Sequence, residues 1–444
     1  NMPRISGRME RGEGGSSIFR LAMERYEADD SALAVPQMTI AQQSGGAVGF
    51  SGRVLASGKL PGGAATNLLL PVDGRYDGGN IALWRSCTDI RFDRLELANL
   101  SFEKRGLTLC PARGRAIVNA GADGIRIAAG APSLDLQGHL GETPIRLASG
   151  PVGFAYPGVM TARAIEVSLG PVETASRFNV SGLEARFGDD IAGTFTDADV
   201  MLAAVPMDLN KAEGNWRFAD GRLTINGADF TLVDRNASPR FEPLIARDAR
   251  LTLIDNVIAA QAQLRNPASD RLVTTVDIRH DLQSGAGHAD LDVPGLQLDD
   301  ELQPGEISRL ALGVIANTKG IVTGTGRIDW APNGTIKSTG SFSSDDLDFA
   351  AAFGPVEGAS GTIEFVDLLN LTTAPGQKIR VASVNPGVEV FDGEVEFQLR
   401  NGELLAVSGG SWPFMGGQLI LRDVDLNLGV SEERRYLFEI VGLD

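Results

Sequence analysis

The sequence predicts an all-β protein with one to three short helices, in which antiparallel strands follow one another along the chain. The first observation is strict alternation. In residues 394–399 the apolar side chains of Val395, Phe397 and Leu399 alternate with polar ones, which is typical of a strand with one apolar and one wetted face. The second observation is the frequency of Asp-Gly and Asn-Gly pairs, which close tight antiparallel hairpins. These pairs begin at Asp73, Asp77, Asp123, Asp220, Asn226, Asn333, Asp392 and Asn401.

The turn after residue 399 sets a predicted register. A three-residue loop over residues 400–402 places Phe397 opposite Leu405 and Val395 opposite Val407. A two-residue loop would turn Leu405 outward, so the apolar pattern favours the longer loop.

A second predicted hairpin turns at Asn333 and sets Trp330 against Ile336. Its shared face is lined mostly by small residues, which mark a sharp bend or leave room for another group. These small residues are Gly324, Gly326, Ser338 and Gly340. Further strands are predicted from the same alternation at residues 165–169, 251–253, 276–278 and 291–293.

Two segments have helical spacing. Residues 16–29 carry apolar side chains at helix intervals behind a serine, and residues 1–15, rich in glycine and charge, are expected to form a disordered or cut linker. Residues 304–317 open with a proline and place Ile307, Leu310 and Val314 on one face. That second helix either packs on the outside of a sheet or lies along an apolar trough. The predicted organisation is a linker and helix at 1–34, strands at 35–300, a helix at 301–317 and strands at 318–444.

Composition limits the classes of function. The formal charge of −17 and the lack of a basic run argue against nucleic acid as a partner and against a protein that lies flat on an anionic membrane, because both require clustered Lys and Arg. No apolar run reaches the roughly 20 residues that span a bilayer. Aromatic residues make up only 6% of the chain, so the bulky side chains that fill a β-sandwich core are scarce. The chain lacks an initiator methionine and ends after a strand-like run, so we expect it to be a fragment cut at both ends.

The two cysteines, Cys87 and Cys110, fall opposite each other if the strands around them pair about a turn at Ala98 and Asn99. The same register pairs Ile90 with Leu107, Leu95 with Phe102 and Leu97 with Leu100. A cross-strand disulfide in an oxidising compartment is one interpretation, and two buried thiols in a reducing compartment are the other.

Catalytic and metal-binding patterns are weak. The three histidines are His139, His280 and His288. Two of them lie near aspartates, but strand alternation puts His280 on the Ile278 face and Asp277 on the other. We therefore expect no metal, no cofactor and no enzymatic activity. Scattered acidic residues could form a glycosidase pair in any extended β fold, but nothing in the sequence singles out two of them.

The C-terminal half resembles the YdbH type of the AsmA-like, TamB-related envelope proteins of Gram-negative bacteria. The residues that carry the resemblance are the glycine-rich strand ending at Trp330, Phe353-Gly354, Val356-Glu357-Gly358, residues 361–365, Asn385-Pro386-Gly387, the strand at 392–399, Trp412-Pro413-Phe414, Gly416-Gly417 and the final Gly442-Leu443-Asp444. The N-terminal half matches through Gly62-Gly63, residues 70–74 and the cysteine spacing, so that the resemblance covers residues 35–444.

The resemblance implies an elongated, twisted antiparallel sheet curled lengthwise into an apolar groove. It also implies a periplasmic protein that carries phospholipid between the inner and outer membranes and supports outer-membrane lipid homeostasis. The parent protein would be anchored in the inner membrane, and a small outer-membrane lipoprotein would bind its C-terminal end. The family has also been linked to dicarboxylate transport, but the linear sequence shows no arginine cluster that would bind two carboxylates.

An apolar sheet face must be covered by a second sheet, by helices or by lipid. We expect lipid to line the predicted wall, which consists of Ile328, Trp330, Ile336, Phe342, Ile363, Phe365, Val395, Phe397, Leu405 and Val407. Each of these residues could also belong to an ordinary core. The alternatives are a secreted β-rich adhesin or binding module with a closed core, and a polysaccharide-active enzyme.

Overall fold

The computed structural model describes residues 2–442 except 61–62, 98, 189, 204, 313, 352 and 429–436. It divides into two compact units, one of residues 1–200 with 215–221 and the other of residues 201–214 with 222–444. Within the described residues the chain forms 32 strands and three short 3-10 turns. The neighbouring strands run antiparallel, and the predicted all-β fold class of an antiparallel β-groove is confirmed.

The first sixteen strands begin in the first unit. They are β1 (Ile5–Arg11), β2 (Ser17–Ala28), β3 (Ser31–Gln42), β4 (Val48–Leu60), β5 (Gly63–Asp77), β6 (Asn80–Leu83), β7 (Thr88–Leu97), β8 (Leu100–Pro111), β9 (Val118–Gly121), β10 (Gly124–Ala131), β11 (Leu134–Leu140), β12 (Thr143–Ser149), β13 (Val152–Tyr156), β14 (Val159–Leu169), β15 (Ser176–Phe187) and β16 (Ile191–Met201).

The sheet of the first unit splits into two narrow ladders between β5 and β14. One ladder runs from β5 through β6, β9, β10 and β13 to β14. The other runs from β5 through β7, β8, β11 and β12 to β14. The long strands β5 and β14 therefore hold both ladders, each of which pairs with a different part of their length.

A disulfide lies where the two ladders meet. Cys87 precedes β7 and Cys110 lies near the end of β8, and their sulfur atoms are 2.04 Å apart. Ile90 pairs with Leu107 and Leu95 with Phe102, as the sequence predicts. Ala98, in the predicted turn, lies outside the described residues.

Apolar side chains of the second ladder pack into a small cluster. Phe92, Phe102 and Leu136 are 3%, 4% and 6% exposed, respectively, and Leu68 of β5 packs against them. The cluster marks the buried face of this ladder, to which Leu68 belongs.

The remaining strands lie at residue 207 and beyond. They are β17 (Met207–Ala219), β18 (Arg222–Asp234), β19 (Leu244–Ile254), β20 (Val257–Arg265), β21 (Leu272–Asp281), β22 (Gly287–Leu298), β23 (Ile315–Trp330), β24 (Ile336–Ala351), β25 (Gly354–Asp367), β26 (Thr372–Thr373), β27 (Gln377–Val384), β28 (Val390–Arg400), β29 (Leu404–Phe414), β30 (Gly417–Leu421), β31 (Val424–Asn427) and β32 (Phe438–Val441). From β18 to β25 each strand pairs with the next, and β27, β28 and β29 continue the series.

The predicted helix at residues 16–29 is wrong. The segment is β2, and the predicted linker before it contains β1. Strand β2 pairs with β1 on one side and with β3 on the other. Its register against β3 shifts between Leu21 and Met23 and again before Tyr26. These irregularities break the alternation, so the apolar residues fall at intervals that resemble those of a helix.

The predicted helix at residues 301–317 is also wrong. The segment contains two 3-10 turns, Pro304–Glu306 and Arg309–Ala311, and β23 begins at Ile315. The backbone of Ser308 is extended, with φ −130° and ψ 123°, and this separates the turns. Hydrogen bonds to neighbouring loops replace those of a helix, because Ile307 O accepts from the backbone N–H of Glu242 at 2.9 Å.

The predicted register of the β28–β29 hairpin is wrong by two residues. Phe397 pairs with Val407, and Leu399 pairs with Leu405. The loop is residues 401–403, and the register shifts again between Glu396 and Phe397. A shift of two residues preserves the face of each side chain. The apolar alternation therefore predicted the face correctly but not the partner. In the β23–β24 hairpin the predicted pair of Trp330 and Ile336 is confirmed.

Candidate functional site

Strands β20 to β24 carry apolar side chains on one face and charged side chains on the other. Cross-strand partners share a face of the sheet, and adjacent residues of one strand lie on opposite faces. One row contains Ala260, Ile278, Ala289, Ile328 and Ser338, and the neighbouring row on the opposite face contains Ala259, Arg279, His288, Asp329 and Lys337. We call the apolar side the inner face. The predicted residues Ile328, Trp330, Ile336 and Phe342 all belong to it.

Burial on the inner face is incomplete. Ile328 is 8% exposed, whereas Trp330, Ile336, Phe342 and Phe365 keep intermediate exposure. The rings of Phe342 and Phe365 meet edge to face, with centroids 5.9 Å apart. This part of the predicted wall is therefore brought together and is half-buried.

A buried histidine marks one end of the inner face. His280 Nδ1 lies 3.1 Å from Trp330 Nε1 and 3.1 Å from Ala286 O, so it accepts from the Trp330 N–H in one tautomer and donates to the carbonyl in the other. Burial lowers the pKa of His280, and the Ala286 carbonyl oxygen and the charge of Asp281 act in the opposite direction. Burial therefore favours the neutral imidazole, which contacts both Trp330 and Ala286 through Nδ1.

The small residues of β23 and β24 form a floor that another side chain covers. An added Cβ on Gly326 would lie 2.9 Å from Leu368 Cδ2, and one on Gly340 would lie 3.3 Å from the same atom. The sequence allowed two explanations for these small residues, a sharp bend or space for another group. At Gly326 and Gly340 the second applies, and the group is the side chain of Leu368.

The loop that carries Leu368 is fixed to the inner face by polar contacts. Ser338 Oγ donates to Asp367 Oδ1 at 2.8 Å and accepts from the Leu369 backbone N–H at 3.0 Å. Burial would raise the pKa of Asp367, but hydrogen bonds from Asn370 and Ser338 outweigh it and hold the pKa below its ordinary value. The charged carboxylate is thus favoured in the fold.

The remaining wall residues lie in a more tightly packed region. Phe397 and Val407 are 8% and 5% exposed, and they join a cluster with Trp412. The partly buried members of this cluster include the other predicted residues Ile363, Val395 and Leu405. The predicted wall therefore divides into a half-buried part, formed by Trp330, Ile336, Phe342 and Phe365 beside the buried Ile328, and a packed part around Phe397.

The segment predicted as a groove helix forms a strap over the strand ends, which we define as residues 303–312. Arg309 Nε lies 2.6 Å from Glu242 Oε1, and Ser308 Oγ donates to Arg240 O at 2.8 Å. Leu310 Cβ lies 3.8 Å from the position of a Cβ on Gly402. Ile307, Leu310 and Val314 are half-buried. Because Gly402 lies in the loop after β28 and residue 303 follows β22, the strap connects elements far apart in the strand order.

An ion pair supports the base of the strap. Arg240 Nε lies 2.7 Å from Asp234 Oδ2, and the Asp234 side chain is 0% exposed. Burial would raise the pKa of Asp234, but the hydrogen bonds from Arg240 and from the Asn236 backbone lower it below its ordinary value. The pair therefore fixes the carbonyl of Arg240 that Ser308 binds.

Comparison with models of protein families identifies the family of this chain. Residues 19–444 match the family model YdbH-like, described as intermembrane phospholipid transport protein YdbH. The chain belongs to the YdbH-like family. Membership supports lipid transport as the general function and the cell envelope as its setting. A comparison with curated proteins finds no significant match, and one with solved structures finds none either.

In this YdbH-like chain no helix of the described residues is long and apolar enough to cross a membrane. The described residues also contain no group of three or more His, Cys, Asp or Glu side chains placed to hold a metal. His280 lies on the face of Ile278, as the alternation predicts.

Two parts of the site could not be predicted from the sequence. Leu368 reaches the glycine floor from a loop 28 residues beyond Gly340, and no alternation connects the two. The strap was recognised as apolar, but its contacts with Glu242 and Gly402 depend on the sheet that brings those loops together. The only local signal was the run of small residues, which indicates that something larger lies above them.

Proposed function

We propose that this YdbH-like chain is part of a periplasmic bridge whose inner face holds phospholipid acyl chains as they pass between the inner and outer membranes. In this proposal the lipid headgroup stays in water and no catalytic step is needed. The transport would support outer-membrane lipid homeostasis. In this proposal the predicted residues form the wall, and the half-buried Trp330, Ile336, Phe342 and Phe365 are the part that contacts lipid.

The observation that carries the proposal is the half-buried inner face. An apolar surface left in water costs about 25 cal/mol per Å², so a long row of partly exposed Trp, Ile and Phe side chains is unfavourable unless another molecule covers it. Hydrocarbon chains do so without requiring hydrogen bonds from the wall.

The total exposed surface supports the same proposal. A compact protein of mass M exposes about 6.3 M^0.73 Å², so two separate compact halves of this chain would expose about 20,000 Å². The chain exposes 25186 Å². The difference, about a quarter, is consistent with sheets whose apolar faces are incompletely covered by protein.

The membrane anchor and the partner rest on the family resemblance. We propose that the parent protein is anchored in the inner membrane and that a small outer-membrane lipoprotein binds at its C-terminal end. Crosslinking of the full-length protein in cells, followed by separation of the two membranes, tests both.

The decisive experiment is to measure phospholipid bound to the purified chain by native mass spectrometry, with two matched variants. Phe342→Asp places a carboxylate on the inner face, and Thr339→Asp places one on the opposite face of the same strand. We expect both variants to fold, Thr339→Asp to retain bound lipid and Phe342→Asp to lose it. The half-buried position of Phe342 leaves the new charge in contact with water.

A wild-type chain without phospholipid would overturn the proposal. So would a Phe342→Asp variant that unfolds as a core variant does, because that result would indicate a closed interior. The packed region around Phe397 favours the second candidate, a binding module with a filled core, for that part of the chain alone. Assays of sugar hydrolysis test the enzyme alternative.

A further inference from the structure

The first ladder ends at the turns that join β5 to β6 and β9 to β10, and this end, which we call the edge, has two different faces. Tyr76, Ile81, Ala120 and Ile125 pair in one row across β5, β6, β9 and β10. Arg75, Ala82, Asn119 and Arg126 pair in the row beside it. Because adjacent residues of a strand point to opposite faces, the first row is apolar and the second is basic.

The apolar row is exposed. Tyr76, Ile81 and Ile125 are 44%, 38% and 59% exposed, respectively. Tyr76 lies on the same face of β5 as Leu68, since the pairing of β5 with β4 is regular from Leu68 to Tyr76. Leu68 packs against Phe92 and its neighbours. The exposed row therefore continues the apolar face of this unit to its edge.

The basic row borders a surface cavity of about 450 Å³. Arg75, Arg85 and Arg126 all line it, and the small Ala82 and Gly121 leave its floor low. At about 4.8 Å per strand, the backbones of Arg75 and Arg126 stand roughly 14 Å apart. We call this cavity the arginine basin. Its three guanidinium groups can together bind an anion larger than chloride.

Arg85 is held in place by its neighbour. The Trp84 Nε1–H donates to Pro71 O at 2.6 Å, and the Trp84 backbone N–H donates to Asp73 O at 2.9 Å. Trp84 O accepts from the backbone N–H of Ile117 at 2.9 Å. These three bonds fix the chain just before Arg85 against both β5 and the approach to β9.

The charges of the cavity leave an excess of positive charge. Arg75 pairs with Asp77 at 2.7 Å. Among the described residues no ion pair engages Arg85 or Arg126, while Asp123 is the second carboxylate of the lining. Three arginines and two aspartates give a net charge of +1, in a chain whose formal charge is −17. The basin is therefore positively charged, whereas the chain as a whole is negatively charged.

We propose that this edge binds the phosphate of an anionic phospholipid in the arginine basin while the acyl chains lie on the apolar row. Arginine forks match phosphate oxygens in bidentate geometry. The turns between the two faces contain Gly78, Gly79 and Gly124, where an added Cβ would meet no atom within 4 Å. These three residues carry no side chain, so they leave low points in the edge that a lipid can cross. This inference rests on the proposed function and specifies where a headgroup is held.

The test is binding of the purified chain to vesicles of phosphatidylcholine, with and without phosphatidylglycerol. The variants are Arg85→Ser, Arg126→Ser and the double variant, and the control is Arg177→Ser, an exposed arginine of β15 outside the basin. A basic residue near an anionic membrane changes affinity about fivefold, so we expect about a fivefold loss for each single variant and at least a tenfold loss for the double variant. Arg177→Ser is expected to bind as the wild type does.

Equal binding by the double variant and the wild type would overturn the proposal. Titration with inorganic phosphate separates the two sources of the anion. Tight binding of phosphate without preference for phosphatidylglycerol would assign the basin to a free anion and also overturn the lipid site. Native mass spectrometry of the same samples reports on the wider function. Lipid-loaded chains with unchanged vesicle binding would contradict only the headgroup site, whereas lipid-free wild type would contradict the proposed function.

Discussion

Leu368 Cδ2 lies 2.9 Å from the position that a Cβ on Gly326 would occupy, so a leucine from the loop after β25 covers the glycine floor of β23 and β24. The glycines are therefore required by packing within the chain. This contact reduces the free space above the inner face at that point. A methyl group added to a glycine of the floor would therefore be too close to its neighbours.

We expect Gly324→Ala to destabilise the chain more than Gly326→Ala. A Cβ at residue 324 would lie 2.3 Å from the carbonyl oxygen of Ser341, which is backbone and cannot move aside. Overpacking of this kind costs about 1–3 kcal/mol. At residue 326 the nearest atom is the end of the Leu368 side chain, which can shift, so the loss should stay below about 1 kcal/mol. Urea unfolding of both variants measures the difference, and equal losses would contradict it.

Leu368→Ala should enlarge the space for lipid. The loss of part of a half-buried leucine should lower the free energy of unfolding by at most about 2 kcal/mol, the lower end for leucine truncations in cores. If the inner face holds acyl chains, the number of bound phospholipids or their rate of exchange between vesicles should rise. Val366→Ala, at a position 56% exposed, is the matched control and should change neither quantity. An unchanged lipid count and exchange rate in Leu368→Ala would show that this leucine does not limit access.

Stability should fall as the pH drops below the ordinary pKa of histidine. Burial lowers the pKa of His280, so the folded state binds fewer protons than the unfolded state. The contribution of the neutral ring is therefore present above about pH 6.5 and is lost as the pH falls through the lowered pKa of the folded state.

The pH effect can be assigned with one variant. His280→Gln keeps an acceptor but cannot titrate in this range, so its free energy of unfolding should lose this part of the pH dependence. Imidazole signals in NMR spectra report the pKa directly. A value for His280 at or above that of an unfolded peptide would refute the explanation.

Reduction of the disulfide should destabilise the first unit. Closing a loop of about this length in the unfolded chain is worth about 3 kcal/mol in the chain-entropy estimate. We therefore expect Cys87→Ala with Cys110→Ala to lower the free energy of unfolding by about that amount. Thermal unfolding with and without dithiothreitol provides the measurement. The double variant should not respond to dithiothreitol, and a wild type that also fails to respond would argue against the bond.

Local features of the fold could be predicted from the sequence, because hairpins are specified by nearby residues. The pairings of Ile90 with Leu107 and of Trp330 with Ile336 follow from a turn and the alternation beside it. The pairing of Phe397 was missed because the loop lies at residues 401–403, one residue later than predicted, and alternation does not distinguish two registers that differ by two residues. An interrupted register around Met23 made a strand resemble a helix.

Features built from distant segments could not be predicted. Arg75 and Arg126 are 51 residues apart in sequence and become neighbours in one row only because β6 and β9 pair between them. The chain has no run of basic residues, so its composition did not predict a cluster of arginines. The half-buried part of the wall was predicted from alternation, whereas the packing around Phe397 depends on the later strands that carry Trp412 and Leu421.

The split of the first unit's sheet leaves a seam between its two ladders. Along the seam, β8 and β10 share only the pairs Ala129 with Pro111 and Gly130 with Cys110 among the described residues, so few backbone hydrogen bonds resist bending there. The Cys87–Cys110 bond ties the start of β7 to the end of β8 beside those two pairs, so it adds a covalent link where the backbone bonds are sparse.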